Sequence, residues 1–281
     1  AIQEDRHGNV WIGSPMGLFQ KNGKQVKKIT AKDGLPDSFI ISLLESKSGR
    51  IWVGTANGLA YVDGDKVQSI NLSAYNDAQT VFGLSEDPDG TLWIATDRAV
   101  LRLRDGKIAT VGVQQGLPVA TVFQIVVDKY TNFWLTSNRG VFYIKRANLE
   151  AVADRKSTQI NAINFAEADG MASAQCNGGS GPAAIRAKDG SIWVATAKGL
   201  SIVQPDNLAR YQAPPPPVVI ETVMVDDQHL KVDQENKLSS SMRKIEIFYT
   251  SLSYRTPEQV RYRYRLLGFD DKWINRQTIR N

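Results

Sequence analysis

Cysteine and histidine are nearly absent from this sequence: Cys176 is the single cysteine, and His7 and His229 are the two histidines among 281 residues. One cysteine excludes an intramolecular disulfide framework and a thiolate metal centre. Its default role is that of a small buried hydrophobe, because a cysteine nucleophile wants a histidine beside it and both histidines lie far off in sequence. Long apolar runs are also lacking, and no stretch approaches the ~18 residues that a membrane span needs. The start, Ala1-Ile2-Gln3-Glu4-Asp5, has neither the basic head nor the apolar core of a signal peptide. What remains is an ordinary globular mix, 42% hydrophobic and 22% charged. It has room for one large all-β domain and a smaller second one.

Charge of one sign is not concentrated either. The net charge is +5, but residues 210–281 hold 12 Lys and Arg against 9 Asp and Glu, which leaves 22 against 20 elsewhere. Neither part is strongly basic, so no nucleic-acid partner is expected. The densest cluster, Arg261, Arg263 and Arg265, alternates with Tyr262 and Tyr264. That is the period of a strand with one wet face.

Repeats are what the sequence does have. Gly-Asn-Val-Trp11, Gly-Arg-Ile-Trp52, Gly-Thr-Leu-Trp93, Thr-Asn-Phe-Trp134 and Gly-Ser-Ile-Trp193 align, the first four spaced by 41 residues and the fifth following after 59. A period near ~40, with short β-branched segments between Gly-rich turns, predicts a β-propeller with one four-stranded blade per repeat. Residues 39–71 show one blade: strands at Phe39 to Leu44, Ile51 to Thr55, Leu59 to Val62 and Lys66 to Ile70, with Asp63-Gly64-Asp65 as a hairpin turn. Trp11, Trp52, Trp93, Trp134 and Trp193 then each fall on a second strand. A constant phase makes them core fillers between blades rather than a stacking platform for sugars.

Two departures stand out. The fourth interval is longer by 18 residues and contains Ala-rich Arg146 to Arg155, which predicts an inserted helix with Asn148 as its N-cap. The segment from Ala168 to Gly179 then falls in phase with Lys32-Asp33-Gly34-Leu35-Pro36 and Gln115-Gly116-Leu117-Pro118, the crossings between blades. Ile2 to Asp5 reads as the tail of an inner strand, so the chain is expected to be a fragment.

These residues resemble the regulator-propeller repeats of bacterial two-component sensors and related diguanylate cyclase receptors. Residues 33–59 fit that pattern almost throughout. The third repeat departs most, with Ala95 for a glycine and Arg98-Ala99 for the Asn-Gly turn. After Pro205-Asp206 the composition changes: Pro214 to Pro217 form a stiff spacer, and Val218 to Val225 reads as a strand. Tyr249, Tyr254, Tyr262, Tyr264 and Trp273 resemble the tyrosine-rich β-sandwich that follows such propellers. The expected organisation is propeller blades over 1–209, a proline-rich linker over 210–217 and an incomplete immunoglobulin-like β-sandwich over 218–281. The five repeats would belong to a ring of about seven blades.

The resemblance implies the extracytoplasmic, periplasmic sensing region of an inner-membrane receptor, with no catalytic centre, metal or cofactor of its own. It implies a small-molecule or oligosaccharide ligand and a homodimer formed through the sandwich. Alternating strand direction puts the second-to-third-strand turns and the blade crossings on one face. The expected ligand contacts there are Asn57, Asp97, Arg98, Asn138, Arg139 and Lys198, with Gln175 and Asn177 from the insertion. The alternatives are a propeller enzyme, a lyase or a glycoside hydrolase, and a protein-interaction scaffold. A lyase would need a histidine base and a metal-binding carboxylate near the axis, and His7 falls in a turn on the opposite face.

Overall fold

The computed structural model describes residues 1–179, 181–208, 217–231, 237, 243–252, 260 and 262–277. The chain divides into two compact units, Ala1–Asn207 and Leu208–Asn281. Residues 210–216 of the proline spacer lie outside the described residues, as do Tyr254 and Arg261.

The first unit holds five antiparallel sheets among its described residues. β1 (Ile2–Glu4), β2 (Val10–Ser14), β3 (Gly17–Asn22) and β4 (Gln25–Ile29) form the first. The second comprises β5 (Ile40–Glu45), β6 (Ile51–Thr55), β7 (Gly58–Asp63) and β8 (Lys66–Ile70). The third is β9 (Val81–Glu86), β10 (Leu92–Thr96), β11 (Val100–Arg104) and β12 (Lys107–Val111). In the fourth, β13 (Gln124–Val127), β14 (Phe133–Ser137) and β15 (Gly140–Ile144) are joined by β16 (Ala162–Phe165) after a helix, α1 (Arg146–Ala153). The fifth has three strands, β17 (Ala184–Arg186), β18 (Ile192–Thr196) and β19 (Gly199–Val203). Each sheet is a meander, and successive first strands β5, β9, β13 and β17 lie beside one another. These are blades following an arc.

The tryptophans explain the stacking. Trp11 shares a core with Ile51 and Val53 of the next blade, and Trp52 shares one with Leu92 and Ile94. Trp93 meets Phe133 edge-on at 4.7 Å. An indole buries ~150–250 Å², about 4–6 kcal/mol of transfer free energy at ~25 cal/mol per Å². Trp193 is the exception, 38% exposed. It lies in the last sheet of the first unit, where Ile185, Leu200 and Ile202 are exposed as well. At the other end of the arc Ile2 and Ile12 are exposed too.

A carboxylate six residues before the tryptophan fixes its ring. Asp5, Asp87 and Asp128 accept the indole N–H of Trp11, Trp93 and Trp134 at 2.8, 2.8 and 2.9 Å. Asp128 also accepts the backbone N–H groups of Tyr130 and Asn132, which closes the turn between β13 and β14. At Asp5, burial raises the carboxyl, but hydrogen bonds from Trp11, Asn9 and His7 outweigh it and leave the group below its ordinary range. In the second and fifth repeats this position is Ser46 and Ala187. There Ser46 accepts from the backbone of Arg50, and Trp193 turns its N–H to Ser191 instead. Burial outweighs the single hydrogen bond in magnitude, so the clasp sets orientation more than cohesion.

The helix starts three residues earlier than its sequence predicts. Its N-cap is Lys145, not Asn148. The first backbone donor, at Arg146, goes to the Asn132 side chain on the neighbouring turn, so no local capping residue is needed. β5 is likewise displaced one residue from the expected Phe39–Leu44.

Among its described residues the second unit contains two small antiparallel sheets. β20 (Val218–Val225) pairs with β21 (Gln228–Leu230) and with β22 (Ile245–Ser251), while β23 (Tyr262–Tyr264) pairs with β24 (Ile274–Gln277). Tyr262 joins the two, its ring 5.0 Å from Tyr249 and its hydroxyl 3.0 Å from Ser251 Oγ. Arg263 and Arg265 are exposed, as the alternation implies, and both guanidiniums lie over the Trp273 ring, at 4.7 and 5.4 Å.

Candidate functional site

Turns between second and third strands share one construction on the face that carries the blade crossings. The last residue of each second strand is Ser14, Thr55, Thr96, Ser137 or Thr196, and its hydroxyl donates to the carbonyl three residues on, at 2.6–3.0 Å. The same oxygens accept backbone N–H groups at the tips, including those of Asn57, Arg98, Arg139 and Lys198. Four of the turns end on a glycine at φ 115–132°, where a side chain is strained. The third ends on Ala99, and the β10–β11 ladder accordingly closes at Ala95–Val100, one residue shorter. Ala95 itself fits because it faces Gly83 across the ladder, whereas Gly54 faces Ser42.

Crossings are pinned to these tips. Asp97 Oδ1 accepts the N–H groups of Gln79 and Thr80 at 3.0 and 3.1 Å, and Thr121 Oγ1 donates to the Asp97 carbonyl at 3.1 Å. Asp97 is therefore engaged in holding the crossing, with Arg98 at 3.5 Å on its other oxygen. Asn57, Arg98, Asn138, Arg139, Gln175, Asn177 and Lys198 are all exposed. The insertion lies over the inner strands. Gln175 and Asn177 are tied by backbone hydrogen bonds to Ala197 and Ala195, Gly178 sits against the Phe123 ring, and Gly181 approaches the Ile41 carbonyl. Phe123 packs edge-on against Phe82 at 5.4 Å. That aromatic pair at equivalent inner-strand positions was open to the sequence, since Phe82 and Phe123 are one repeat of 41 residues apart. Cys176 is buried beneath, which pushes its thiol up.

A second feature was not visible in the sequence. α1 packs against β12 on the outer edge of the third blade, and an ion network runs beneath it. Arg146 forks onto Asp87 at 2.6 and 2.8 Å. Arg102 pairs with Glu150 and Asp154 at 2.5 and 2.7 Å, and Arg104 reaches Glu150 at 3.0 Å. Beside this network a cleft of 1020 Å³ opens between β12, the crossing that follows it and the segment after α1. None of the eight expected contact residues lines it.

Phased blades, pinned turns and an insertion over the inner strands define a β-propeller module followed by a smaller β unit. The description "Two component regulator propeller" matches residues 34–57 and 75–98, so the chain carries repeats of that kind. The second matched stretch includes Ala95 and Arg98, in the repeat whose sequence departs most from the pattern. No curated protein matches the sequence. Among solved structures, the chain is similar over 98% of its length to the extracellular domain of a protein assigned as the hybrid two component system BT3049 of B. thetaiotaomicron, with TM-score 0.71 and 20% identity. It spans 38% of that chain. The extracellular domain of BT4673, assigned likewise in B. thetaiotaomicron, is matched over 99% of this chain and 38% of its own, with TM-score 0.53 and 17% identity. Virginiamycin B lyase from Staphylococcus aureus is matched over 72% of this chain and 68% of its own, with TM-score 0.53 and 16% identity. At these identities the likenesses show the fold. No helix among the described residues is long and apolar enough to cross a membrane.

Proposed function

We propose that this chain is the extracytoplasmic, periplasmic ligand-sensing region of a bacterial transmembrane signalling receptor. Its output domain would be a two-component kinase or a diguanylate cyclase. The observation that carries the reading is the order of parts: regulator-propeller repeats, then a small tyrosine-rich β unit, similar over 98% of the chain to the extracellular domain of a two component system. Exposed apolar side chains at both ends of the arc fit further blades, in a ring of about seven. The second unit is read as part of an immunoglobulin-like β-sandwich through which two receptors pair. The polyproline spacer would pass movement on rather than absorb it.

The ligand is a small molecule or oligosaccharide held on the crossing face. Exposed amide and guanidinium tips there sit on turns whose backbone is already satisfied, so their side chains remain available for a polar ligand. Asp97 serves this face as a brace. An enzymatic reading rests on the lyase-like fold, and fold alone does not carry activity.

The test uses the full receptor with a transcriptional or kinase readout. Arg98→Ala with Arg139→Ala abolishes the response to the ligand, and a Gly-Ser linker in place of residues 214–217 keeps binding while lowering output. A double variant that responds like the parent would place the ligand elsewhere, and a flexible linker with full output would refute rigid transmission.

A further inference from the structure

We infer that the rim cleft beside α1 is a binding site for an oxyanion carried on a hydroxylated ring, the chemistry of a sugar acid or a sulfated sugar. The site is separate from the crossing face and does not depend on the sensory reading. The cleft measures 1020 Å³, at the upper end of the ~300–1,000 Å³ common to small-molecule sites. Its walls come from three stretches of chain: Tyr75 from one crossing, β12 with the crossing after it, and residues 152–159.

Arg102 is the strongest pointer. Its side chain is 9% exposed and lines the cleft, yet its buried Nε has no hydrogen-bond partner among the described residues. Glu150 and Asp154 hold the guanidinium through Nη1, which fixes its plane and leaves the Nε donor unsatisfied. A buried donor without an acceptor is costly, and a small side-chain shift that brings a ligand oxygen to it relieves that cost. Arg104 lies alongside, steadied by Thr91 and Glu150.

Charge at the mouth follows from what these pairs leave over. The lining carries four cations, Arg102, Arg104, Lys107 and Arg155, against two carboxylates, Asp105 and Asp154. Arg102 and Arg104 are matched by acids. Lys107 and Arg155 have no ion pair among the described residues, against one carboxylate, Asp105, that has none either, so the mouth keeps a surplus of one positive charge that favours an anion. Guanidinium next to ammonium suits carboxylate or sulfate oxygens. Thr110, Thr158 and Gln114 complete a polar wall, and Ile108, Ala109 and Val152 give the apolar patch on which a sugar ring rests.

Calorimetric titration of the full chain with D-glucuronate, glucose 6-sulfate and glucose tests the site. The expected result is binding of one or both anions, weakened by added salt, with glucose at least about tenfold weaker. Which anion is preferred tells carboxylate from sulfate. Lys107→Ala with Arg155→Ala, both on exposed segments, lowers anion affinity by about tenfold or more, while Arg98→Ala with Arg139→Ala leaves it unchanged. Failure of both anions to bind, glucose binding as well as they do, or an undiminished Lys107→Ala, Arg155→Ala variant would each overturn the proposal.

Discussion

Asp128 does three jobs at once, accepting the Trp134 indole N–H and two backbone N–H groups of its own turn. Asp128→Ala strands those donors in a buried place, and the loss is predicted at about 2 kcal/mol in denaturant unfolding of the chain. Asp189→Ala removes an exposed carboxylate that accepts only from Ser191, while Trp193 bonds the Ser191 hydroxyl instead, and should cost less than Asp128→Ala. Equal costs at the two sites would contradict the clasp. The acidic groups also set a pH window. Asp5, Asp89, Asp154, Asp189 and Asp206 are held below the ordinary carboxylate range, with hydrogen bonds or ion pairs outweighing any burial. Their contribution is complete above the unfolded value near ~4 and is lost as pH falls through the lower folded values. Thermal unfolding should therefore hold level from neutrality to about pH 5 and decline below about pH 4. A midpoint that rises on acidification would contradict this. At this scale the sequence was readable where one repeat explains another: the tryptophans, the Ser or Thr before each turn and the glycines after it. It did not reveal that Asp97, expected at the ligand face, clasps Gln79 and Thr80, because that requires knowing that the crossing into its own blade passes beside the turn.

The inserted helix is held by charge as much as by packing. Arg146 forks onto Asp87, whose side chain is 5% exposed, and lies over the Phe133 ring at 4.5 Å. Arg146→Ala leaves a buried carboxylate unpaired, which costs about 3 kcal/mol, and should loosen α1 before the blades. Hydrogen exchange would show the protection of residues 146–153 falling first. Protection lost evenly across the chain would argue that the helix is not anchored there. Existence and place of this element were legible from the 18 extra residues and their alanines. Its start was not, because the cap comes from Asn132 on another turn. The rim cleft was hidden for a similar reason: Tyr75, Lys107 and Arg155 are distant in sequence, and only the docking of α1 on β12 brings them together. The fifth blade shows the converse limit, since burial of its tryptophan depends on a sheet beyond it.

Across the whole molecule, what distinguishes a sensor from an enzyme on the same propeller is the fate of the bound molecule. On the reading proposed above, the exposed tips recognise a ligand that leaves unaltered. His7, on the opposite face, has its backbone N–H on Asp5, within a turn devoted to holding Trp11. The most direct measurement is a glycan array probed with the purified chain, with retained glycans recovered and weighed by mass spectrometry. The account predicts that a small set of oligosaccharides is retained and released at unchanged mass. Recovery of those glycans as shorter products, hydrolysed or unsaturated, would contradict it.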